Sequence, residues 1–241
     1  MQISIIVPAF NEEKLLGASL AEIRAAAGAF TRLGWEFELL VCDNNSTDRT
    51  AAIARAAGAS VVFEPVNQIA RARNTGAAAA TGDWLIFVDA DSHPSAELFA
   101  EVAEQIASGK CLAGGATVQM DEQKFALDVA IGLWNWTSRL KKWMAGAFIF
   151  IETAAFRQIG GFSRELFATE ELDLSQRLKQ LARGTGRRIV ILHRHPIKTS
   201  ARKLKLYTLR EILGQTACAI FRPRRTLTSR AATFYWYDGR R

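Results

Sequence analysis

The sequence predicts an α/β fold with a mostly parallel central sheet and helices on both faces. In the first half of the 241-residue chain, short apolar runs alternate with longer amphipathic segments, a pattern typical of such folds. Hydrophobic residues make up 49% of the chain, which is enough for one continuous core. No apolar run approaches the roughly 18 residues that a membrane-spanning helix needs.

Four strands are expected in the first half, at residues 3–7, 37–42, 60–63 and 84–88. Their continuous β-branched and aromatic runs are typical of strands buried on both faces. Helices are predicted after the first, second and fourth strands, because residues that favour helix starts follow these strands. They are Asn11 after the first, Ser46 or Thr47 after the second, and Pro94 after the fourth. The small residues of 68–81 predict a helix whose backbone lies close to the sheet.

The second half of the sequence is less regular. Further strands are expected at residues 112–120, 148–151 and 188–192. A Trp-rich amphipathic segment precedes the second of these strands, and we expect its Trp134, Trp136 and Trp143 to pack on the body rather than on a sugar or a membrane. Thr169 is expected to cap a later helix.

Positive charge is concentrated near the end of the sequence. Residues 182–241 contain 15 Lys and Arg residues and two acids, whereas the whole chain has a net charge of +7. We therefore divide the chain into a domain at 1–200, with halves 1–110 and 111–200, and a basic amphipathic helical extension at 201–241. Such an extension favours anionic partners, namely phosphates, a phospholipid surface or nucleic acid, with a solvated basic face as the alternative.

The cysteines and the first residues predict the compartment. Cys42, Cys111 and Cys218 are widely spaced and fit neither a disulfide framework nor a zinc site. Residues 1–10 lack the basic and small-residue features of a signal peptide. We therefore expect a cytoplasmic protein, with the inner face of the plasma membrane as a candidate location.

Polar clusters follow three of the predicted strands, at residues 8–11, 43–48 and 89–91. Because ligands of parallel sheets bind beyond the carboxyl ends of the strands, we expect these clusters to form one site. Asp89 and Asp91 offer two hard oxygen ligands for Mg²⁺ or Mn²⁺, which would neutralise a diphosphate leaving group. Neither a G-x-G-x-x-G motif nor a P-loop is present, which disfavours a dehydrogenase or a P-loop NTPase.

Several segments resemble the successive motifs of glycosyltransferase family 2, whose members have the GT-A fold. They are IIVPAFNEE (5–13), DNNSTDRT (43–50), ARNTG (72–76) with GDWL (82–85), FVDADS (87–92), GGF (160–162) and EELDLSQRL (170–178). The resemblance implies an inverting, metal-dependent transferase that uses a nucleotide-diphospho-sugar. One difference is that Asn44 and Asn45 stand where the family usually has a second acid, which leaves Asp43 as the principal acid of this loop.

The resemblance also implies roles for individual residues. The nucleotide pocket would be lined by Pro8, Phe10 and Glu12. Asp43 would bind the imide of a uracil-like base, which suits a UDP-sugar, while Asp89 would lie beside the ribose and the metal. Asp91 would be the direct metal ligand, with His193 as a candidate third ligand.

Basic and amide side chains are candidates for the diphosphate. The resemblance places Arg71, Arg73 or Asn74 near the diphosphate or the nucleoside. Arg202 and Lys203 are further candidates because Arg and Lys pair well with phosphate oxygens, although a basic helix start facing solvent is an equal alternative.

Transfer with inversion needs a base that accepts the proton of the acceptor hydroxyl. The family usually has an Asp as the second residue of a Glu-Asp pair at a helix start. The resemblance therefore implies that Glu171 is the base and that Glu170 is the runner-up. The alternative is that both acids only stabilise the first turn of a helix through its dipole.

The acceptor is expected to be a hydroxyl of a glycan or of a lipid-linked glycan, with a polyprenyl phosphate as the alternative. The amphipathic segment 204–221 can lie on an anionic bilayer, which would suit a lipid-linked acceptor. Two other classes remain open, namely a nucleotide-sugar binder without activity and a nucleic-acid binder that uses the basic tail. The nucleic-acid reading is disfavoured because no nucleic-acid-binding motif accompanies the charge.

Overall fold

The computed structural model describes residues 1–122 and 125–202. Eight strands lie within these residues: β1 (Gln2–Ala9), β2 (Glu36–Asp43), β3 (Ser60–Phe63), β4 (Trp84–Val88), β5 (Ser92–His93), β6 (Cys111–Met120), β7 (Phe148–Glu152) and β8 (Arg188–Thr199). The helices of this part are α1 (Leu16–Thr31), α2 (Thr50–Ala56), α3 (Ile69–Ala79), α4 (Ala96–Ala107), α5 (Phe125–Lys141), α6 (Thr153–Gln158) and α7 (Glu170–Thr185). The predicted strands are thus confirmed, whereas β5 and α6 had no clear signal in the sequence.

The strands form one sheet in the order β3-β2-β1-β4-β7-β6-β8-β5. Strands β3, β2, β1 and β4 run parallel to one another, as predicted. In the other half β6 and β8 are parallel, while β7 runs antiparallel to both β4 and β6. The carboxyl ends of β1, β2 and β4 therefore meet at one edge of the sheet, where a ligand site is expected.

Helices cover both faces of the sheet, which confirms the predicted layers. Alternate residues of one strand point to opposite faces, so Leu85 and Phe87 pack with α3 and α7 while Ile86 packs with α1 and α4. This two-sided burial explains the continuous apolar runs of the strands. Helix α3 lies close to the sheet because of Gly76, where an added Cβ would lie 2.5 Å from a methyl carbon of Ile6.

Two predicted helix starts are wrong, and both errors have the same cause. Helix α1 begins at Leu16 and α2 at Thr50, and neither has a side-chain cap. Asn11 instead adopts a left-handed backbone and accepts a hydrogen bond from the Thr47 backbone N–H at 2.8 Å, while Ser46 Oγ accepts one from the Asn11 N–H at 3.0 Å. These side chains join the loops after β1 and β2 to each other.

The Trp-rich segment forms helix α5 and leads to one correction. Trp134 packs against the core, as predicted, but Trp136 is 62% exposed because it lies on the outer side of the helix. No helix among residues 1–122 and 125–202 is long and apolar enough to cross a bilayer. Of the predicted extension at 201–241, residues 203–241, which include Lys203, lie outside the described residues.

Candidate active site

Three predicted site residues meet where the parallel strands end. Ala9 of β1 pairs with Asp43 of β2, and β4 lies on the other side of β1 and leads directly to Asp89. Asp43 is buried, and its Oδ1 accepts a hydrogen bond from the Ser46 N–H at 3.1 Å. Glu12 is buried in the loop after β1, where its backbone N–H donates to Thr50 Oγ1 at 2.8 Å.

Asn44 has a structural role that explains why an amide follows Asp43. Its Nδ2 donates hydrogen bonds to the carbonyl oxygens of Val66 at 2.7 Å and Glu64 at 3.3 Å. A carboxylate has no donor and could form neither bond. The amide therefore ties the loop after β3 to the end of β2, and Asp43 remains the acid at the end of this strand.

The end of β8 brings Arg202 to the same edge of the sheet. Ser92 pairs with Thr199, and the Ser200 N–H donates to the Asp91 carbonyl oxygen at 3.1 Å. Arg202 then donates to both carboxylate oxygens of Glu12, at 2.8 and 3.0 Å. A predicted diphosphate residue and a predicted nucleotide residue thus form an ion pair through one guanidinium nitrogen, Nη2 of Arg202.

A cavity of about 190 Å³ lies next to these loops. It is lined by Ile69, Arg73, Asp89, Gly146, Ala147, Phe167, Ala168, Thr169, Glu170 and Glu171. The cavity therefore combines a predicted donor-side acid, Asp89, with both candidate bases, although the three come from distant parts of the sequence.

Arg73 lies at the centre of this cavity wall and is 1% exposed. Its guanidinium donates to Glu170 Oε1 at 2.7 Å, to Asp89 Oδ1 at 3.0 Å and to the Gly146 carbonyl oxygen at 3.0 Å. It also lies over the ring of Phe162, with 5.2 Å between its central carbon and the ring centre. Burial alone would lower the pKa of Arg73, but the charges of Asp89 and Glu170 raise it.

The two adjacent glutamates differ in their surroundings. Glu170 is buried against Arg73, and burial raises its pKa while the charge of Arg73 opposes the rise. Glu171 is partly buried, and burial raises its pKa to about 8, with a further contribution from the charge of Glu170. Glu170 is held by Arg73 at 2.7 Å, whereas Glu171 is partly exposed and lines the cavity, so Glu171 remains the candidate base.

The backbone before the two glutamates is strained. Thr169 has a φ of 62°, which is the left-handed region, and its side chain makes no capping hydrogen bond. The prediction that Thr169 caps α7 through its side chain is therefore wrong. A β-branched residue in this region is unusual, and such strain is concentrated at functional sites.

Asn74 lies away from this cavity. Its amide donates to the Phe162 carbonyl oxygen at 2.8 Å and accepts from the Phe162 N–H at 2.9 Å. It lines a second cavity of about 600 Å³ together with Arg157, Gly161 and Arg164. Asn74 therefore holds the Gly-Gly-Phe loop in place, and the structure does not bring it together with Asp89.

His193 is also separated from the predicted metal ligands. It lies on β8 and lines a third cavity of about 480 Å³ with Asn135, Trp136 and Arg139. Among the described residues, no three His, Cys, Asp or Glu side chains are arranged to hold a metal. A metal held by Asp89 and Asp91 would therefore need ligands other than a third His, Cys, Asp or Glu of the described residues.

Two residues that the sequence did not indicate support the site. Gln68 donates from its side chain to the carbonyl oxygens of Arg164 and Leu166, at 2.8 and 2.9 Å. Ser175 of α7 accepts a hydrogen bond from the Met144 N–H at 3.1 Å. Both join segments about 30 or more residues apart, so no local pattern could have identified them.

The fold and the site together define the chain as a GT-A-type protein with acids at the strand ends. The family model described as "Glycosyl transferase family 2" matches residues 4–158 of the chain. Because the match covers more than half of the chain, the protein belongs to this family, which confirms the resemblance found in the motifs.

Curated relatives align over part of their own length only. The chain is 30% identical over 151 residues to an undecaprenyl-phosphate 4-deoxy-4-formamido-L-arabinose transferase from Pseudomonas aeruginosa, covering 57% of this chain and 40% of that protein. In the alignments with the curated relatives, this chain covers between 26% and 47% of each relative's own length.

Solved structures share the fold at low sequence identity. TarS 1-349 from S. aureus in complex with UDP-GlcNAc has a TM-score of 0.65 at 19% identity, covering 98% of this chain and 69% of that chain. Glucosyl-3-phosphoglycerate synthase from Mycobacterium tuberculosis, in complex with Mn²⁺, UDP-glucose and phosphoglyceric acid, has a TM-score of 0.60 at 18% identity, covering 95% and 81%. Both confirm the GT-A architecture.

Proposed function

We propose that this protein transfers a sugar from a UDP-sugar to a hydroxyl acceptor with inversion at the anomeric carbon. The observation that supports the proposal is the cavity that Asp89 and Glu171 line together, since these are the proposed donor-side acid and the proposed proton acceptor. The UDP assignment is supported by Asp43 at the end of β2 and by the UDP-sugars bound to the two structural relatives.

Asp89 and Asp91 would hold the divalent cation of the reaction, Mg²⁺ or Mn²⁺. Two carboxylates fit such an ion because Mg²⁺ is commonly held by one or two carboxylates, with substrate phosphates and waters as its other ligands. The cation would supply positive charge that stabilises the departing diphosphate. His193 is not part of this proposal, since it lines a separate cavity.

Residues of the chain would supply the other functions that the reaction needs: proton acceptance, positioning of the acids and binding of the diphosphate. The acceptor oxygen forms a bond to the anomeric carbon while the bond from this carbon to the diphosphate oxygen breaks, and Glu171 accepts the hydroxyl proton. Arg73 holds Asp89 and Glu170 in fixed positions through hydrogen bonds at 3.0 and 2.7 Å. Arg202 would move from Glu12, which it contacts through Nη2 alone, to the diphosphate, which can accept hydrogen bonds from two guanidinium nitrogens at once.

A polyprenyl phosphate is the second candidate acceptor. The undecaprenyl-phosphate transferase from Pseudomonas aeruginosa favours it, since the name of that relative includes the lipid phosphate. A phosphate is already ionised near neutral pH and needs no base. The two acceptors therefore differ in whether Glu171 is required.

Release of UDP from a panel of UDP-sugars, with and without Mn²⁺, tests the proposal. We expect release that depends on Mn²⁺ and is lost in Asp91→Asn, because the metal would lose its direct ligand. Glu171→Gln should lower transfer by about 100-fold or more while leaving donor binding intact, as is typical for the loss of a general base. Glu165→Gln, an exposed acid in the neighbouring loop, is the matched control and should retain activity.

Three results would contradict this assignment. Full turnover by Glu171→Gln would exclude Glu171 as the base and would favour the phosphate acceptor. Donor binding without any turnover would indicate a nucleotide-sugar binder. Metal-independent release would exclude the role of Asp89 and Asp91.

A further inference from the structure

Helix α5 carries a stripe of large apolar side chains on its outer side. Five residues form this α5 stripe, and each is more than half exposed: Phe125, Val129, Leu133, Trp136 and Leu140. With 3.6 residues per turn, their spacing places them within an arc of about 80°. Single exposed apolar residues are common, but a continuous stripe of five indicates a binding surface.

The opposite side of α5 is docked on the sheet, so the stripe must point outward. Asn135 forms two hydrogen bonds of 2.9 Å with the backbone of Val118 in β6. Ser138 is fully buried, and its hydroxyl donates to the Trp143 carbonyl oxygen. Trp134 packs against the core. The orientation of the helix is therefore fixed by its inner face.

A basic cluster lies at the C-terminal end of the stripe. Lys179 of α7 donates to the carbonyl oxygen of Lys141, and its Nζ lies 6.0 Å from the ring centre of Trp143. Burial lowers the pKa of Lys179, and the positive charges of Lys141 and Arg183 lower it further. Like charges held this close repel each other, so an anionic partner would stabilise them.

We propose that the α5 stripe and this basic cluster bind the surface of an anionic phospholipid bilayer. Leu, Val, Phe and Trp side chains suit the boundary between headgroups and acyl chains, and adjacent Lys and Arg residues suit the lipid phosphates. A second copy of the chain would bring the same positive charges, whereas an anionic bilayer neutralises them. Charge complementarity therefore favours the bilayer.

The C-terminal end of this surface is close in sequence to the candidate active site. Helix α5 ends at Lys141, and Gly146, which lines the cavity and accepts a hydrogen bond from Arg73, follows five residues later. The backbone N–H of Met144, which lies between them, donates a hydrogen bond to Ser175 Oγ of α7. The inference rests on the proposed function and extends it, because a bilayer bound to α5 would present a lipid-linked acceptor beside the cavity.

A fluorescent probe on the stripe identifies what covers it. Cys42 and Cys111 are buried, so Leu133→Cys in a Cys218→Ser background of the full chain can be labelled with an environment-sensitive dye. We expect its emission to shift to the blue on addition of vesicles that contain phosphatidylglycerol, and not with pure phosphatidylcholine. The same dye at Leu33→Cys, a position 54% exposed just after α1, should show no shift.

Each other result overturns the proposal. A blue shift without vesicles that grows with protein concentration would indicate a second copy. A blue shift without vesicles at every dilution would indicate that residues 203–241 cover the stripe. An unchanged spectrum under all conditions would show that the stripe binds none of these.

Vesicle flotation provides a second test that does not depend on the donor. Leu133→Glu should lower the vesicle-bound fraction at least about tenfold, since a charge replaces an exposed Leu that would insert into the bilayer, while Leu33→Glu should not. Release of UDP in the absence of vesicles should be unchanged in both variants. Loss of vesicle binding and loss of the proposed function are therefore measured separately.

Discussion

Arg73 and Glu170 form a buried ion pair with 2.7 Å between Nη1 and Oε1, although the two residues are 97 positions apart in the sequence. The same guanidinium binds Asp89 at 3.0 Å. The pair therefore connects the helix that carries the candidate base to the loop that carries the candidate metal ligands. This connection makes the arrangement of the site depend on one side chain.

Arg73→Met should strongly destabilise the protein. Removing one partner leaves Glu170 as a buried charge without its counter-ion, which costs about 3–5 kcal/mol of the free energy of unfolding. Adding Glu170→Gln should restore part of the loss, because a neutral amide replaces the unpaired charge. Urea denaturation of the two single variants and the double variant measures this coupling. Additive losses would show that the ion pair has no energetic role.

Glu171→Gln should make the protein more stable at alkaline pH. The pKa of Glu171 is raised from 4.5 to about 8 in the folded state, so the native carboxyl favours its neutral form. Its stabilising contribution is complete below the unfolded pKa and is lost as the pH rises to about 8. The amide removes this loss, and we expect a gain of about 1–3 kcal/mol near pH 8.5.

Denaturation of wild type and Glu171→Gln at about pH 4 and about pH 8.5 checks this expectation. The two proteins should have similar stability at the lower pH, since Glu171 is then protonated in both the folded and the unfolded state. A gain of equal size at both pH values would show that packing, not ionisation, is responsible.

The pH dependence of transfer distinguishes the two candidate acceptors. If Glu171 accepts the proton, kcat/KM should rise about tenfold per pH unit and level off near its pKa of about 8. If the acceptor is a lipid phosphate, the rise should follow ionisation of that phosphate, at about pH 6. Initial rates with saturating donor, measured in overlapping buffers, provide the profile. A flat profile would contradict both.

Gly161 and Gly160 offer a matched pair of substitutions. Both have a positive φ, of 72° and 77°, but an added Cβ at Gly161 would lie 2.6 Å from Asn74 Oδ1, whereas at Gly160 it meets open space. Gly160→Ala should therefore cost only the backbone strain, about 1–2 kcal/mol. Gly161→Ala should cost about 1–3 kcal/mol more, since the loop or Asn74 must move. Equal losses in thermal unfolding would show that the Asn74 contact is not tight.

The strands and the convergence of the acids could be predicted because their signals are local. A strand buried on both faces needs a continuous apolar run, and parallel strands bring their carboxyl ends to one edge. Helix starts were harder to predict. Asn11, Ser46 and Thr47 have the chemistry of caps, but they bond to another loop instead.

Sequence by itself determined the layered α/β architecture, the family and the set of acids around the site, because periodicity and motifs are properties of neighbouring residues. Only the tertiary structure decided which glutamate pairs with Arg73 and that burial raises the pKa of both. Only it placed Asn74 and His193 in separate cavities and turned the α5 stripe outward. These outcomes depend on burial and on contacts between residues far apart in the chain, and a linear pattern does not encode the distances that set them.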